Sequence, residues 1–258
     1  MITLPSIPPN SGVISFYRRS MDEMMHDMRQ DIKSQVIARY RSDLAMDGIV
    51  DWIGHVVDGI VAKWTKNLDL LAPDMANEVV GRTRKNYDKR IHALLKRRGM
   101  IVNLQMSSKV EEQAKIAIEE NTALIKSIGT QYLDKVRSAV WRSVKNGYDL
   151  ESLTKQLSHI DGVEGRRAKN IAKDQVAKYN QAVEDARAEE LGITEAYWVH
   201  SSAVKEPRPE HVKANGQRYK ISEGIHFSNG WHTPSSDYGC MCRKKLIIEL
   251  KPQNQIQQ

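Results

Sequence analysis

Residues 196–202 read Ala196-Tyr-Trp-Val-His-Ser-Ser202, and residues 239–243 read Gly239-Cys-Met-Cys-Arg243. The first is an extended aromatic and β-branched run, as a strand requires. The second leads into Leu246-Ile-Ile-Glu-Leu250, another strand pattern. Between them lie Arg208-Pro-Glu-His211 and Asn215-Gly216, the latter a turn signal. Both cysteines, Cys240 and Cys242, and four of the eight histidines, His200, His211, His226 and His232, fall inside 196–243. Upstream the apolar spacing changes to three and four, the helical period. The expected fold class is therefore α+β: a mainly helical N-terminal region followed by a small C-terminal α+β module. Its strands are expected near Tyr197 to Ser201, Arg218 to Ile221 and Arg243 to Leu250.

The gross composition sets bounds. A chain of 258 residues can bury a real core in one or two domains. Mean hydropathy is −0.54, and no apolar run approaches the roughly 20 residues that span a bilayer. The start, Met1-Ile-Thr-Leu-Pro-Ser-Ile-Pro-Pro-Asn10, has no basic region followed by an apolar core, so a secretory signal is not expected. Two cysteines separated by one residue make a poor disulfide framework and point to a reducing compartment. The formal charge of +7 permits an acidic partner.

The helices follow in order. Residues 1–20 read as an extended arm lying along a neighbouring surface. Met21, Met24, Met25, Met28, Ile32, Val36 and Tyr40 make one face of a first helix. Ile49, Ile53, Val57, Ile60 and Trp64 mark a second, and Ala72-Pro-Asp74 is expected to start a third, ending near Arg98. Between Gly81 and Gly99 stand eight basic residues against the one acid Asp88, an excess as large as the charge of the whole chain. Arg82, Lys85, Lys89 and Lys96 share the face opposite Val80, Tyr87, Ile91, Leu94 and Leu95. This stripe either tracks a phosphate backbone or is a solvated face without a partner. Met100 to Gln105 reads as a short apolar connection or strand. Ser108-Lys-Val-Glu111 reads as a capping box. Breaks are expected at Gly129-Thr130, Asn146-Gly147, Asp161-Gly162 and Gly192, with Asp149 capping a short helix before a last long one from Gly165 to Leu191.

The helix Arg167-Ala-Lys-Asn-Ile-Ala172, the turn Glu190-Leu-Gly-Ile193 into Tyr197-Trp198, Arg208-x-x-His211 with Asn215-Gly216, and Cys240-Met-Cys-Arg243 occur in one order. In that order they resemble the Mu F-like head morphogenesis family of tailed phages, the minor head proteins. The motif residues are Trp198, Arg208, His211, Gly216, Cys240, Cys242 and Arg243. The family often has an aspartate shortly before the Arg-x-x-His pair; here the neighbourhood reads Ala203-Val-Lys-Glu206. The resemblance divides the chain into an arm (1–20), a helical region (21–148), a Mu F-like module (149–250) and a tail (251–258). It implies a protein that works with the portal protein and the major capsid or scaffold protein, is packaged inside the capsid near the portal vertex, and acts in head assembly or genome delivery. Double-stranded DNA is a further expected partner, and no membrane is.

Two readings stand for the cysteine pair. Cys240 and Cys242 supply thiolates and His211 and His232 nitrogens to a structural zinc, because alternate residues of a strand face one side. Otherwise the cysteines pack in the core while Arg208 and His211 hydrogen-bond across a turn. No catalytic residues are expected. The alternative function is a DNA-binding or DNA-processing protein, a metal-dependent nuclease built on the His/Cys module. Its acids, Glu206, Glu210 and Asp237, are scattered along the sequence.

Overall fold

The structure is a computed structural model and describes residues 1–38, 49–147, 149–202 and 206–249. The elements run β1 (Ile2–Thr3), α1 (Ser11–Ile32) continuing as a π-helical turn (Lys33–Ile37), α2 (Ile49–Lys96), α3 (Ser108–Lys145), α4 (Leu150–Glu190), β2 (Glu195–Val199), α5 (Pro209–Lys213), β3 (Arg218–Lys220), β4 (Ile225–Phe227), β5 (Gly230–His232) and β6 (Arg243–Ile248). The α+β class with helices first and a small C-terminal sheet is what forms. Tyr40, residues 203–205, Leu250 and the tail 251–258 lie outside the described residues. Two compact units divide the chain. One comprises 14–79 and 118–172, the other 1–13, 80–117 and 173–258.

The helical unit is built on the Met face expected of α1. Met21, Met24, Met25, Met28, Ile32 and Val36 are all buried, so this stripe is core. Opposing stripes come from Ile53, Val57, Ile60, Trp64 and Leu68 of α2 and from Ile125, Ile128, Tyr132 and Val136 of α3. Three expected breaks do not occur. At Pro73 the helix α2 runs through, because Leu68, Ala72, Ala76 and Val79 stay buried on one side across the proline. At Gly129 the helix α3 runs through as well. A Cβ there would lie 2.7 and 2.8 Å from the Leu68 methyls and 3.1 Å from Met28 Cε, so this glycine serves close packing rather than a stop. At Asp161-Gly162 the helix α4 continues, and Asp161 faces inward to accept a hydrogen bond from Tyr132 Oη (3.1 Å) and an ion pair from Arg29 (2.9 Å). The short helix and the long helix expected after Asp149 are thus one.

True ends lie where cap chemistry is complete. Asp149 Oδ1 accepts from Ser152 N (2.9 Å). Gly147 (φ +77°) and Gly192 (φ +68°) close α3 and α4, with Ile193 N donating to Ala188 O (2.8 Å). The cap of α3 is one residue earlier than expected: Ser107 Oγ, not Ser108, accepts from Val110 N (3.2 Å). Residues 100–105 are irregular, not a strand. Arg187, fully buried, fixes that connection by donating to Gln105 O (2.7 Å), Asp88 (2.9 and 3.0 Å) and Glu190 (2.7 Å).

The N-terminal lead also differs from the extended arm expected over 1–20. Asn10 Oδ1 accepts from Val13 N (3.0 Å) and starts α1 at Ser11. Residues before it are pinned to their own unit. Leu4 and Ile7 are buried, Asn180 Nδ2 donates to Ile7 O (3.1 Å) and Arg90 Nη1 to Pro8 O (2.8 Å). Ile2 and Thr3 pair with Ile248 and Ile247. Apolar side chains at 4 and 7 bury against their own core, which a free arm would leave in water.

The main sheet has the order β1-β6-β2-β3 and is antiparallel throughout. Ala196 and Trp198 of the central strand β2 point into the core, and Leu246 and Lys244 of β6 stand opposite them in register. A second hairpin pairs β4 with β5 around Ser228-Asn229.

Candidate metal centre

Trp198 is the floor of the site. It is fully buried, and its ring meets His211, Phe227 and Tyr219 edge-on at centroid distances of 5.3, 5.5 and 6.2 Å. Two residues further along, just past the end of β2, His200 emerges beside this cluster. Its backbone N–H donates to Asn215 Oδ1 (2.9 Å). Asn215-Gly216 therefore acts as a clamp on β2, reinforced by Gly216 N donating to Trp198 O (2.8 Å).

His211 is delivered by the one-turn helix α5. Pro209 sits in its first turn, where a missing N–H costs nothing. Arg208 before it donates from Nη2 to Tyr238 O (3.0 Å), tying α5 to the loop that carries the cysteines. Glu210 accepts from Ser228 N (2.9 Å) and Ser228 Oγ (3.0 Å), tying α5 to the β4–β5 turn. These hydrogen bonds hold the Glu210 carboxyl below its ordinary range. Arg208 and Glu210 of the Arg208-x-x-His211 stretch thus act as fasteners, and His211 enters the His/Cys cluster.

Cys240 and Cys242 precede β6 and are each 3 % exposed, too little for a solvent-borne substrate to reach them. Gly239 (φ +71°) makes the turn before them and donates its N–H to Asp174 of α4 (2.6 Å). Ser235, the one described non-glycine residue with positive φ (+64°), donates Oγ to Cys242 O (2.9 Å). Gly224 is required where the chain passes the backbone of His232. A Cβ there would come within 2.4 Å of His232 O.

The polar atoms converge. His211 Nδ1 lies 3.5 Å from Cys240 Sγ and 3.7 Å from Cys242 Sγ, and His200 Nδ1 lies 3.7 Å from Cys242 Sγ. The donor atoms of His211, Cys240 and Cys242 are all within 4.8 Å of one another. On the far side of the ring, His211 Nε2 meets Asp237 Oδ2 (3.2 Å), while Asp237 Oδ1 meets His232 Nδ1 (3.1 Å). A carboxylate accepting from Nε2–H leaves Nδ1 as the lone-pair nitrogen, aimed at the thiols. The two thiols are strongly linked. The hydrogen bond from Cys242 holds the Cys240 thiol well down against its burial, and the same bond, then burial, pushes Cys242 up.

Of the expected ligands, the structure brings together His211, Cys240 and Cys242. It places His232 one shell out: its ring centroid is 6.3 Å from that of His211, and it stacks on Phe227 (5.4 Å) and faces Asp237. His200 and Asp237 were not expected in these roles. Asp237 gathers two histidines that are distant in sequence. The alternation Trp198-x-His200 was the available signal for the first, since both lie on one side of an extended chain. Glu206, in the neighbourhood where the family often has an aspartate, is exposed. Arg82, Lys85, Lys89 and Lys96 are all exposed on α2, with Tyr87, Ile91 and Leu95 buried beneath them.

Residues 134–245 match the family model described as phage Mu protein F like protein. Over these residues the chain is similar to the Mu F-like phage protein family. The match takes in β2, α5, β3, the β4–β5 hairpin and the cysteine loop, the elements that assemble the His/Cys cluster. A Haemophilus influenzae protein named "Uncharacterized protein" is 31 % identical over 150 residues, which is 58 % of this chain and 33 % of that protein. The chain thus spans about a third of the length of that relative. No solved structure matches. Among the described residues, no helix is long and apolar enough to cross a membrane.

Proposed function

We propose that this Mu F-like chain is a minor head protein of a tailed phage, acting in head morphogenesis by docking on the portal and on capsid or scaffold protein. In this reading it is carried in the virion near the portal vertex and has no catalytic role. The family match over 134–245 is the observation that carries the proposal. The state of the His/Cys cluster supports the non-catalytic part. Its thiols are buried, and both oxygens of the Asp237 carboxylate are engaged by imidazoles. A nuclease needs a free base and an open metal position. The test is head assembly with and without the chain. Heads purified from cells making portal, capsid and scaffold proteins should contain it, and omitting it should lower the yield of DNA-filled heads. A chain absent from purified heads, with head yield unchanged by its omission, overturns the proposal.

A second reading concerns DNA and rests on the exposed face of α2. Arg82, Lys85, Lys89 and Lys96 stand at spacings of three, four and seven over a buried apolar stripe, so the helix is anchored on one side and presents cations on the other. Such a face neutralises phosphates without reading bases.

A further inference from the structure

We propose that His200, His211, Cys240 and Cys242 hold one structural zinc ion, with Asp237 orienting His211 from behind. A tetrahedral zinc with Zn–S near 2.3 Å and Zn–N near 2.0–2.1 Å has S···N edges of about 3.5 Å. Three of the four S···N separations are 3.5, 3.7 and 3.7 Å; the donor atoms of His211, Cys240 and Cys242 lie within 4.8 Å of one another, and His200 stands outside that group, reaching it through Cys242. Hydrogen bonding alone accounts for this poorly. His211 Nδ1 has a single lone pair, yet both sulfurs sit at near-equal distance from it. One ion between the donors uses that lone pair and both sulfurs at once.

The charge balances as well. Binding displaces the two thiol protons to solvent, and two thiolates cancel the +2 of the ion, with both imidazoles neutral. A neutral centre suits a site whose cysteines and His211 are buried. The S₂N₂ donor set selects zinc over the hard cations, which take oxygen ligands. With four protein ligands the sphere is closed, so the role is structural rather than catalytic. Asp237 supplies the carboxylate that metal-bound histidines commonly have on the other ring nitrogen, and it uses its second oxygen for His232. The ion would fasten the end of β2, α5 and the loop before β6. These segments are separate in sequence, with β3 and the β4–β5 hairpin lying between α5 and β6.

The test uses the full chain, purified with zinc present and then dialysed. Metal analysis should return about one zinc per chain. Replacement by cobalt should give the strong visible bands of a tetrahedral ion together with thiolate-to-metal charge transfer. Chelation should lower the melting temperature of the parent. Asp237→Asn should weaken zinc about 10–100-fold while keeping the cobalt spectrum, as a positioning residue does and a purely structural one does not. His200→Ala should weaken binding and distort the spectrum, whereas His232→Ala should still bind about one zinc. A folded parent that takes up no zinc and gives no cobalt–thiolate band overturns the proposal. Because that measurement is made on the unmutated protein, misfolding of a variant cannot obscure it. Loss of zinc in His232→Ala with full retention in His200→Ala overturns the ligand assignment.

Discussion

Glu184 of α4 is 2 % exposed and accepts from Gln181 Nε2 (2.7 Å). Burial raises its carboxyl from 4.5 to about 7; Lys244 opposes the shift and Asp185 adds to it. Between these two values the folded chain binds more protons at this position than the unfolded chain. Its contribution is therefore fully present below pH 4.5 and is lost as pH rises to about 7. Glu184→Gln should remove this slope, leaving the variant more stable than the parent above neutrality by on the order of 1–3 kcal/mol and closer to it in acid. Paired denaturant titrations across that range test it; equal slopes for the two proteins would sink the idea. Gly224 gives a second expectation. Its φ of +79° and the 2.4 Å approach of His232 O leave no place for a methyl group. Gly224→Ala should destabilise the chain by about 2 kcal/mol or more, read from the same titrations. At this scale Cys240, Cys242 and His211, which the structure brings together, could be named from the sequence. That His200 meets Cys242 while His232 faces Asp237 could not. It depends on a strand end and on one aspartate facing two rings.

Among elements, the long helices were legible as amphipathic stripes but not as continuous rods. Pro73, Gly129 and Gly162 are each a helix breaker by local chemistry, and in each case packing on one face overrides it. Gly129 is the clearest instance, because the Leu68 methyls occupy the space its side chain would need. Pro73 is tolerated rather than used, so Pro73→Ala should restore a main-chain hydrogen bond and raise stability by about 1–3 kcal/mol, measured as a higher melting temperature. The β4–β5 hairpin and α5 escaped the sequence reading because each is too short to show a period, although Asn229-Gly230 was a usable turn signal. The basic face of α2 carries its own prediction. Changing Arg82, Lys85, Lys89 and Lys96 to glutamine should lower the salt slope of DNA binding by roughly one unit for each phosphate no longer neutralised, with no change in sequence preference. A parent that fails to bind DNA, or a variant with an unchanged slope, removes DNA from the account. If head incorporation alone falls, the face docks on protein.

For the whole molecule, the C-terminal module is not a detachable piece. Its unit draws on residues 1–13 and 80–117 as well as 173–258, and β6 is covered on one side by β1. A fragment of residues 149–250 should expose the bare edge of β6 and self-associate, and adding a peptide of residues 1–13 should suppress this, as sedimentation would show. The sequence reading set that boundary by family resemblance and by the change of period, neither of which reports a strand of two residues at the far end of the chain. The pairing of Ile2 with Ile248 also fixes an order in time. As the chain is synthesised, the first strand emerges long before its partner exists. Met1 to Ile7, with Leu4 and Ile7 bound for the interior, must wait through the making of four long helices before the sheet can close. The sheet is thus a late, long-range event, and closing so large a loop is slow compared with forming any of those helices. Until β6 arrives, the opening residues are a short sticky apolar segment on a partly folded chain, the stage at which this protein is most exposed to capture by a chaperone or by another copy of itself.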